Sequence, residues 1–188
     1  MAGLVARAFD VADTYRTPAL LLADGALGQM MEPVDFDAAL GTRRSSPEKT
    51  WATTGHGGKR KKNIINSLFL SPDELERSVL GRQERYREIE RSEVLWEEVD
   101  TTGAEIILVA YGISARICKS AIEAARAMGI KAGLLRPVTL WPYPKAALAR
   151  VAEHAKHLLV VELNMGQMVD DVKVSIGSRR PVSFFGRC

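Results

Sequence analysis

The chain has 188 residues, 46% of them hydrophobic, enough to bury one ordinary domain core with about forty to sixty residues left for an arm or a fragment. Its 26 basic and 23 acidic side chains leave a net charge of only +3, so the overall balance implies no nucleic-acid partner. No run approaches the ~20 apolar residues needed to cross a bilayer, and the first residues lack the basic flank, apolar block and cleavage site of a secretion signal; the expectation is a cytoplasmic protein with no membrane association.

In chain order, Leu4, Val5, Ala8, Phe9 and Ala12 form a helical stripe over residues 1 to about 16, which Pro18 stops. Ala19–Ala23 is uniformly apolar and predicts a short strand buried on both faces of a parallel sheet, ending at Asp24-Gly25. Together these predict, over residues 1–40, the last unit of an α/β domain whose beginning is not in this sequence. Residues 25 to about 70 are rich in turn formers and lack periodicity, which predicts a long exposed connection holding Thr42-Arg-Arg-Ser-Ser-Pro47 and the basic run Lys59-Arg60-Lys61-Lys62. Ser71-Pro72-Asp73-Glu74 offers a capping serine, a first-turn proline and a capping-box glutamate. The helix so begun is predicted to run to about Val99, with Leu75, Val79, Tyr86, Ile89 and Trp96 on a narrow apolar stripe, making residues 41–100 a linker with one long charged helix.

From residue 101 the pattern becomes regular. Strands are predicted at Glu105–Tyr111, Lys131–Leu135, Leu158–Leu163 and Pro181–Phe185, and helices at Ser114–Met128, closed by Gly129, at Pro144–Ala155 and at Met168–Ile176. This alternation predicts that residues 101–188 form a three-layer α/β/α domain with a mostly parallel sheet.

The cysteines, Cys118 and Cys188, form no Cys-x-x-Cys pair, so this chain alone is expected to build no iron–sulfur cluster and no zinc site. His154 and His157 read as a solvated helix terminus more readily than as metal ligands, and nothing forms a nucleophile, base and orienter set. No catalytic residue and no metal ligand is therefore assigned. Asp24, Glu32 and Asp35 could act as acid or base, but no spacing selects them, and Asp170-Asp171 suits the N-terminal dipole of the late short helix.

Three loops are predicted to converge at one sheet edge. Gly112, Ser114 and Arg116 sit where a strand turns into a helix; they either hold an anion with the free N–H groups or make a tight turn with Ser114 as N-cap. Arg136 opens a turn with three prolines and Trp141 in nine residues, and Asn164 and Gln167 follow the strand ending at Glu162-Leu163. Lys59 and Arg60, in the basic run after Gly57-Gly58, do not match a P-loop; a solvated linker, phosphate or coenzyme contact and nucleic acid are the readings left open.

With these residues in view, the sequence resembles the α-type chain of 2-oxoacid:ferredoxin oxidoreductases, and within it the 2-oxoisovalerate (branched-chain) type. The resemblance is carried by Leu22–Pro33, Ile65–Leu68, Val109–Cys118, Gly133–Pro142 and Val161–Met168. It implies an enzyme that decarboxylates a 2-oxoacid on thiamine diphosphate, passes electrons through iron–sulfur clusters to ferredoxin and transfers the acyl group to coenzyme A. This chain would bind none of these cofactors alone. A diphosphate-binding chain, a gamma chain and a ferredoxin-like chain would be its partners. Residues 1–40 would then end a pyrimidine-binding domain, and the last domain would resemble the C-terminal domain of transketolases, used for subunit packing. On that reading Arg136, Trp141, Asn164 and Gln167 support an interface or a neighbouring active site. A stand-alone binding or scaffolding module without enzyme activity is the alternative.

Overall fold

The computed structural model describes residues 1–41, 44–45 and 47–187; Thr42, Arg43, Ser46 and Cys188 lie outside them, and with them part of the turn expected at 42–47 and the reading of Cys188. The chain divides into two units, one of residues 1–21 and 32–88, the other of residues 22–31 and 89–188. No helix among the described residues is long and apolar enough to cross a membrane.

The first unit holds α1 (Ala2–Tyr15), which ends as expected at Arg16, in the left-handed conformation with φ 48°, two residues before Pro18. Ala19–Ala23, expected as a strand, is irregular. A strand needs a hydrogen-bonded neighbour, and this run has none in the sheet; Leu20 and Leu22 are accordingly exposed. The stretch expected to lack structure contains two five-residue helices, α2 (Gly25–Gln29), which belongs to the second unit, and α3 (Phe36–Leu40), each capped by the aspartate before it, Asp24 and Asp35. α4 (Pro72–Ser92) begins where the proline and acidic first turn predict, but it is shorter than expected, and of its apolar stripe only Ile89 is buried. The boundary between the units falls within α4.

The second unit is built on a five-stranded sheet in the order β1-β3-β2-β4-β5, with β1 (Trp96–Val99), β2 (Ile106–Val109), β3 (Ala132–Pro137), β4 (His157–Glu162) and β5 (Val182–Gly186). All pairings are parallel except β1 with β3. Trp96, expected on a helix, opens β1. Its neighbours explain the switch, since Glu97 and Glu98 point to opposite faces, as successive strand residues must, and each finds a cation there. Glu97 pairs with Lys119 at 2.6 Å and Arg136 at 2.8 Å, and Glu98 pairs with Arg150 and accepts hydrogen bonds from Thr101 Oγ1 and Trp96 Nε1.

The two faces of the sheet are covered as the apolar spacing predicts. α5 (Gly112–Ala127) lays Ala115, Cys118 and Ile122 against Leu108, Ala132 and Leu134. α6 (Lys145–His154) and α7 (Met168–Ile176) bury Leu148, Val151, Val172 and Ile176 on the other face, with Val109, Leu135, Leu158 and Val160. The result is the three-layer α/β/α arrangement with a mostly parallel sheet. Gly133 lets β3 pass close to the β1–β2 turn, because a Cβ there would come within 2.6 Å of the Asp100 carbonyl oxygen.

Candidate functional site

The strand order sets the place to look. β2 is followed by α5 on one face and its neighbour β4 by α7 on the opposite face, so the connections reverse between these two strands, the switch point at which such sheets receive ligands. Tyr111-Gly112 lies at the exit of β2 and Leu163–Gln167 at the exit of β4.

Each helix that starts at this switch point already has a carboxylate acceptor. At α5, Ser114 does not cap; it lies inside the first turn, buried, and the helix has no side-chain cap from its N-cap residue Tyr111. Asp24 supplies the acceptor instead, taking the Ile113 N–H on Oδ2 at 3.2 Å while its Oδ1 takes the Leu27 N–H at 2.8 Å, so one side chain caps α2 and α5 together. Gly112 turns with φ 55°, and a Cβ there would meet Asp24 Oδ2 at 3.1 Å. One of the N–H groups that the sequence left open to an anion is held by a side chain 89 residues away in sequence.

At α7 the corresponding group is Glu162, which the sequence offered only as the end of a strand. It is 1% exposed, and its carboxylate accepts from the N–H groups of Met168 and Val169 at 3.0 Å each and of Gln167 at 3.3 Å. Asn164 Nδ2 donates to it at 3.1 Å, and Asn164 Oδ1 accepts from the Gly166 N–H at 2.7 Å. A buried carboxylate on three consecutive amides at a helix start is satisfied by hydrogen bonds and dipole together. Asn164 works as the brace of this turn, and Gln167 contributes its backbone N–H. Asp170 and Asp171 lie in the first turn of α7, where the dipole favours them.

Two tyrosines feel the Glu162 charge. Burial pushes the Tyr111 hydroxyl above its usual range, the Glu162 charge pushes it the same way, and a hydrogen bond with Asn164 opposes both. Burial raises Tyr143 further, helped by the charges of Asp171 and Glu162, and its hydroxyl is buried without a hydrogen-bond partner. Both rings pack on the apolar core beneath α6 and α7.

Arg136 stands at the exit of β3, but it is committed to Glu97 and ties β1 to β3. The proline turn after it is docked by Thr139, whose hydroxyl accepts from the Leu95 N–H at 2.9 Å and donates to the Pro142 carbonyl at 2.7 Å. Arg116 is exposed on α5, and Trp141, Leu163 and Met165 are exposed along the same edge, at 53%, 54% and 80%. Lys59 and Arg60 belong to the other unit. Arg60 donates to the carbonyls of Ala52, Gly55 and Lys61, so its fork closes its own loop. The Cys118 thiol is buried under α5, pushed up to about 11 by burial, and the described residues hold no group of three or more His, Cys, Asp or Glu that could take a metal ion.

Geometry of this kind positions loops and offers an apolar rim; it presents no nucleophile activated by a base. A protein-family model described as the pyruvate:ferredoxin oxidoreductase core domain II matches residues 104–188. The ketoisovalerate oxidoreductase subunit VorB of Methanothermobacter marburgensis is 45% identical over 179 residues, 95% of this chain and 50% of its own length. The 2-oxoglutarate synthase subunit KorA of Methanothermobacter thermautotrophicus is 27% identical over 197 residues, 89% of this chain and 50% of its own. The chain thus spans about half the length of the curated relatives it matches. In fold it is similar to a solved 2-oxoglutarate:ferredoxin oxidoreductase from Magnetococcus marinus, with a TM-score of 0.75 at 18% identity over 95% of this chain and 36% of that one. The chain is thus similar along most of its length to subunits of 2-oxoacid:ferredoxin oxidoreductases, and its residues 104–188 match the core domain II of that family.

Proposed function

We propose that this chain is part of an α-type subunit of a thiamine diphosphate-dependent 2-oxoacid:ferredoxin oxidoreductase of the branched-chain type, in which the sheet domain serves assembly and supports an active site built mostly by other segments and chains. The observation that carries the reading is the 45% identity to a ketoisovalerate oxidoreductase subunit along 95% of the chain, against 27% to a 2-oxoglutarate synthase subunit. The internal capping of both helix starts at the switch point agrees with it, because groups already satisfied by Asp24 and Glu162 hold loops in place and are not spare for a substrate.

The reaction proposed is oxidative decarboxylation of a branched 2-oxoacid to its acyl-coenzyme A with reduction of ferredoxin. Thiamine diphosphate, coenzyme A and iron–sulfur clusters would be held by the complex; the described residues of this chain offer a cluster no ligand set, their one cysteine being buried with a raised pKa. A diphosphate-binding chain, a gamma chain and a ferredoxin-like chain are the partners this requires, in the cytoplasm. Asn164, Gln167 and Arg136 act as positioning residues for the edge that meets them. The test is coenzyme A-dependent reduction of a viologen dye by the anaerobically purified complex, with 3-methyl-2-oxobutanoate and 2-oxoglutarate compared. A higher kcat/KM for the branched acid is expected, and preference for 2-oxoglutarate would overturn the substrate assignment.

A further inference from the structure

The basic loop of the first unit has an organisation that the oxidoreductase reading does not use. Residues 49–72 contain Lys49, Lys59, Arg60, Lys61 and Lys62 and no aspartate or glutamate. Two of the five cations have structural work. Lys49 pairs with Asp13 at 2.7 Å, and Arg60 closes the loop on the Ala52 and Gly55 carbonyls, both at 2.9 Å. Asn63 staples the far side, donating to the carbonyls of Thr50 at 2.7 Å and Ala52 at 3.0 Å. The turn between them is tied by His56, whose carbonyl takes the Lys59 N–H at 2.8 Å and whose Nδ1 takes the Gly58 N–H at 3.2 Å. Trp51 anchors the base under Arg16, with the guanidinium 4.8 Å from the ring centroid. Lys59, Lys61 and Lys62 remain, all exposed and in no ion pair among the described residues.

We propose that Lys59, Lys61 and Lys62, displayed on this stapled loop, bind a small ligand carrying more than one phosphate group. Three ammonium groups within four residues repel one another, and the closed loop limits how far they separate, so the arrangement gains most from a compact multivalent anion. The ligand class follows from the donors left over. The guanidinium fork, which suits carboxylate and phosphate alike, is spent inside the loop, and the free groups are compact point charges on flexible stems of the kind that grip phosphate oxygens. Closing the loop beforehand lowers the ordering cost of binding. This inference is independent of the proposed reaction, and its test reads binding rather than turnover.

The experiment titrates the full chain with inorganic pyrophosphate, ADP and adenosine 3′,5′-bisphosphate by calorimetry, at low and at physiological salt. A triple variant, Lys59→Ala with Lys61→Ala and Lys62→Ala, is compared with the triple Lys→Arg variant, circular dichroism serving to check that both are folded. Saturable binding is expected, at least about tenfold weaker in the alanine variant, retained in the arginine variant and weakened by salt. Tighter binding of pyrophosphate and ADP assigns the site to a phosphoanhydride, and tighter binding of the bisphosphate to separate phosphomonoesters; either supports the site. Absence of saturable binding, or equal binding by the alanine variant, overturns it. So does tighter binding of a deoxythymidine oligonucleotide with affinity that grows with its length, which would make the loop a nucleic-acid surface.

Discussion

Glu162→Gln isolates the charge at the start of α7 without changing side-chain volume. The wild-type carboxylate offers acceptors on both oxygens: Oε1 to the N–H groups of Val169 and Gln167, Oε2 to Met168 N–H and Asn164 Nδ2. An amide keeps one oxygen, so its NH2 must face one of these pairs, and two donors lose their acceptor in a site where the residue is 1% exposed. An unpaired buried donor costs about 1–3 kcal/mol, and a carboxylate lost from a partly buried helix start costs up to about 2 kcal/mol more. Because the turn can relax in part, the expected destabilisation is about 3–5 kcal/mol, or a fall in Tm of roughly 6–20 °C at this chain length. Urea unfolding followed by tryptophan fluorescence measures it, with an unchanged m-value required for the comparison. A loss under about 1 kcal/mol would refute the claim that this carboxylate organises the turn.

Other substitutions test the remaining parts of the fold. Asp24→Ala removes the acceptor for two helix starts and is expected to cost about 1–2 kcal/mol in urea unfolding, whereas Ser114→Ala, which removes no cap, should cost under about 0.5 kcal/mol; the reverse order would return the capping role to Ser114. Gly133→Ala forces a methyl onto the Asp100 carbonyl and is expected to destabilise by about 1–3 kcal/mol, read as a lower Tm. Arg60→Ala should open residues 52–61 to limited proteolysis while the sheet domain keeps its unfolding transition; unchanged resistance would refute the staple.

The acid limb of stability should depend on β1. The hydrogen bond from Lys119 lowers the Glu97 carboxyl most, burial opposes it, and Arg136 adds to the lowering; at Glu98 burial raises, but hydrogen bonds from Thr101 and Trp96 and the Arg150 charge prevail. Both carboxyls therefore titrate below their ordinary 4.5 when folded. Their contribution is complete above 4.5, where both folded and unfolded forms are ionised, and is lost as pH falls through the lowered values, since the unfolded chain binds protons first. Glu97→Gln should flatten the stability profile below pH 4.5, measured as Cm against pH, and an unchanged slope would count against the clamp.

The sheet domain was legible because its signals are local. The apolar run Ile106–Val109 is a strand within the expected Glu105–Tyr111, β4 at His157–Glu162 falls within one residue of the expected Leu158–Leu163, and α7 falls at Met168–Ile176 as its pattern predicts. Ala19–Ala23 and Trp96 failed for the same reason in opposite directions: strand formation is decided by a neighbour, absent for the first and supplied by β3 for the second. The capping of α5 was hidden because its acceptor, Asp24, lies 89 residues before the Ile113 N–H. Glu162 did carry a signal, an acidic residue closing an otherwise apolar strand, which burial makes costly unless donors await it. Arg60 shows the limit of charge runs, because the sequence does not say which cation of four faces inward.

The central claim is that the chain works as an assembled oxidoreductase component. The most direct measurement is anaerobic isolation of the chain from its native host, with identification and stoichiometry of the co-purifying chains by mass spectrometry. Recovery in fixed ratio with chains that carry the thiamine diphosphate and iron–sulfur sites is predicted. A chain recovered alone, folded and without those partners, would contradict the account.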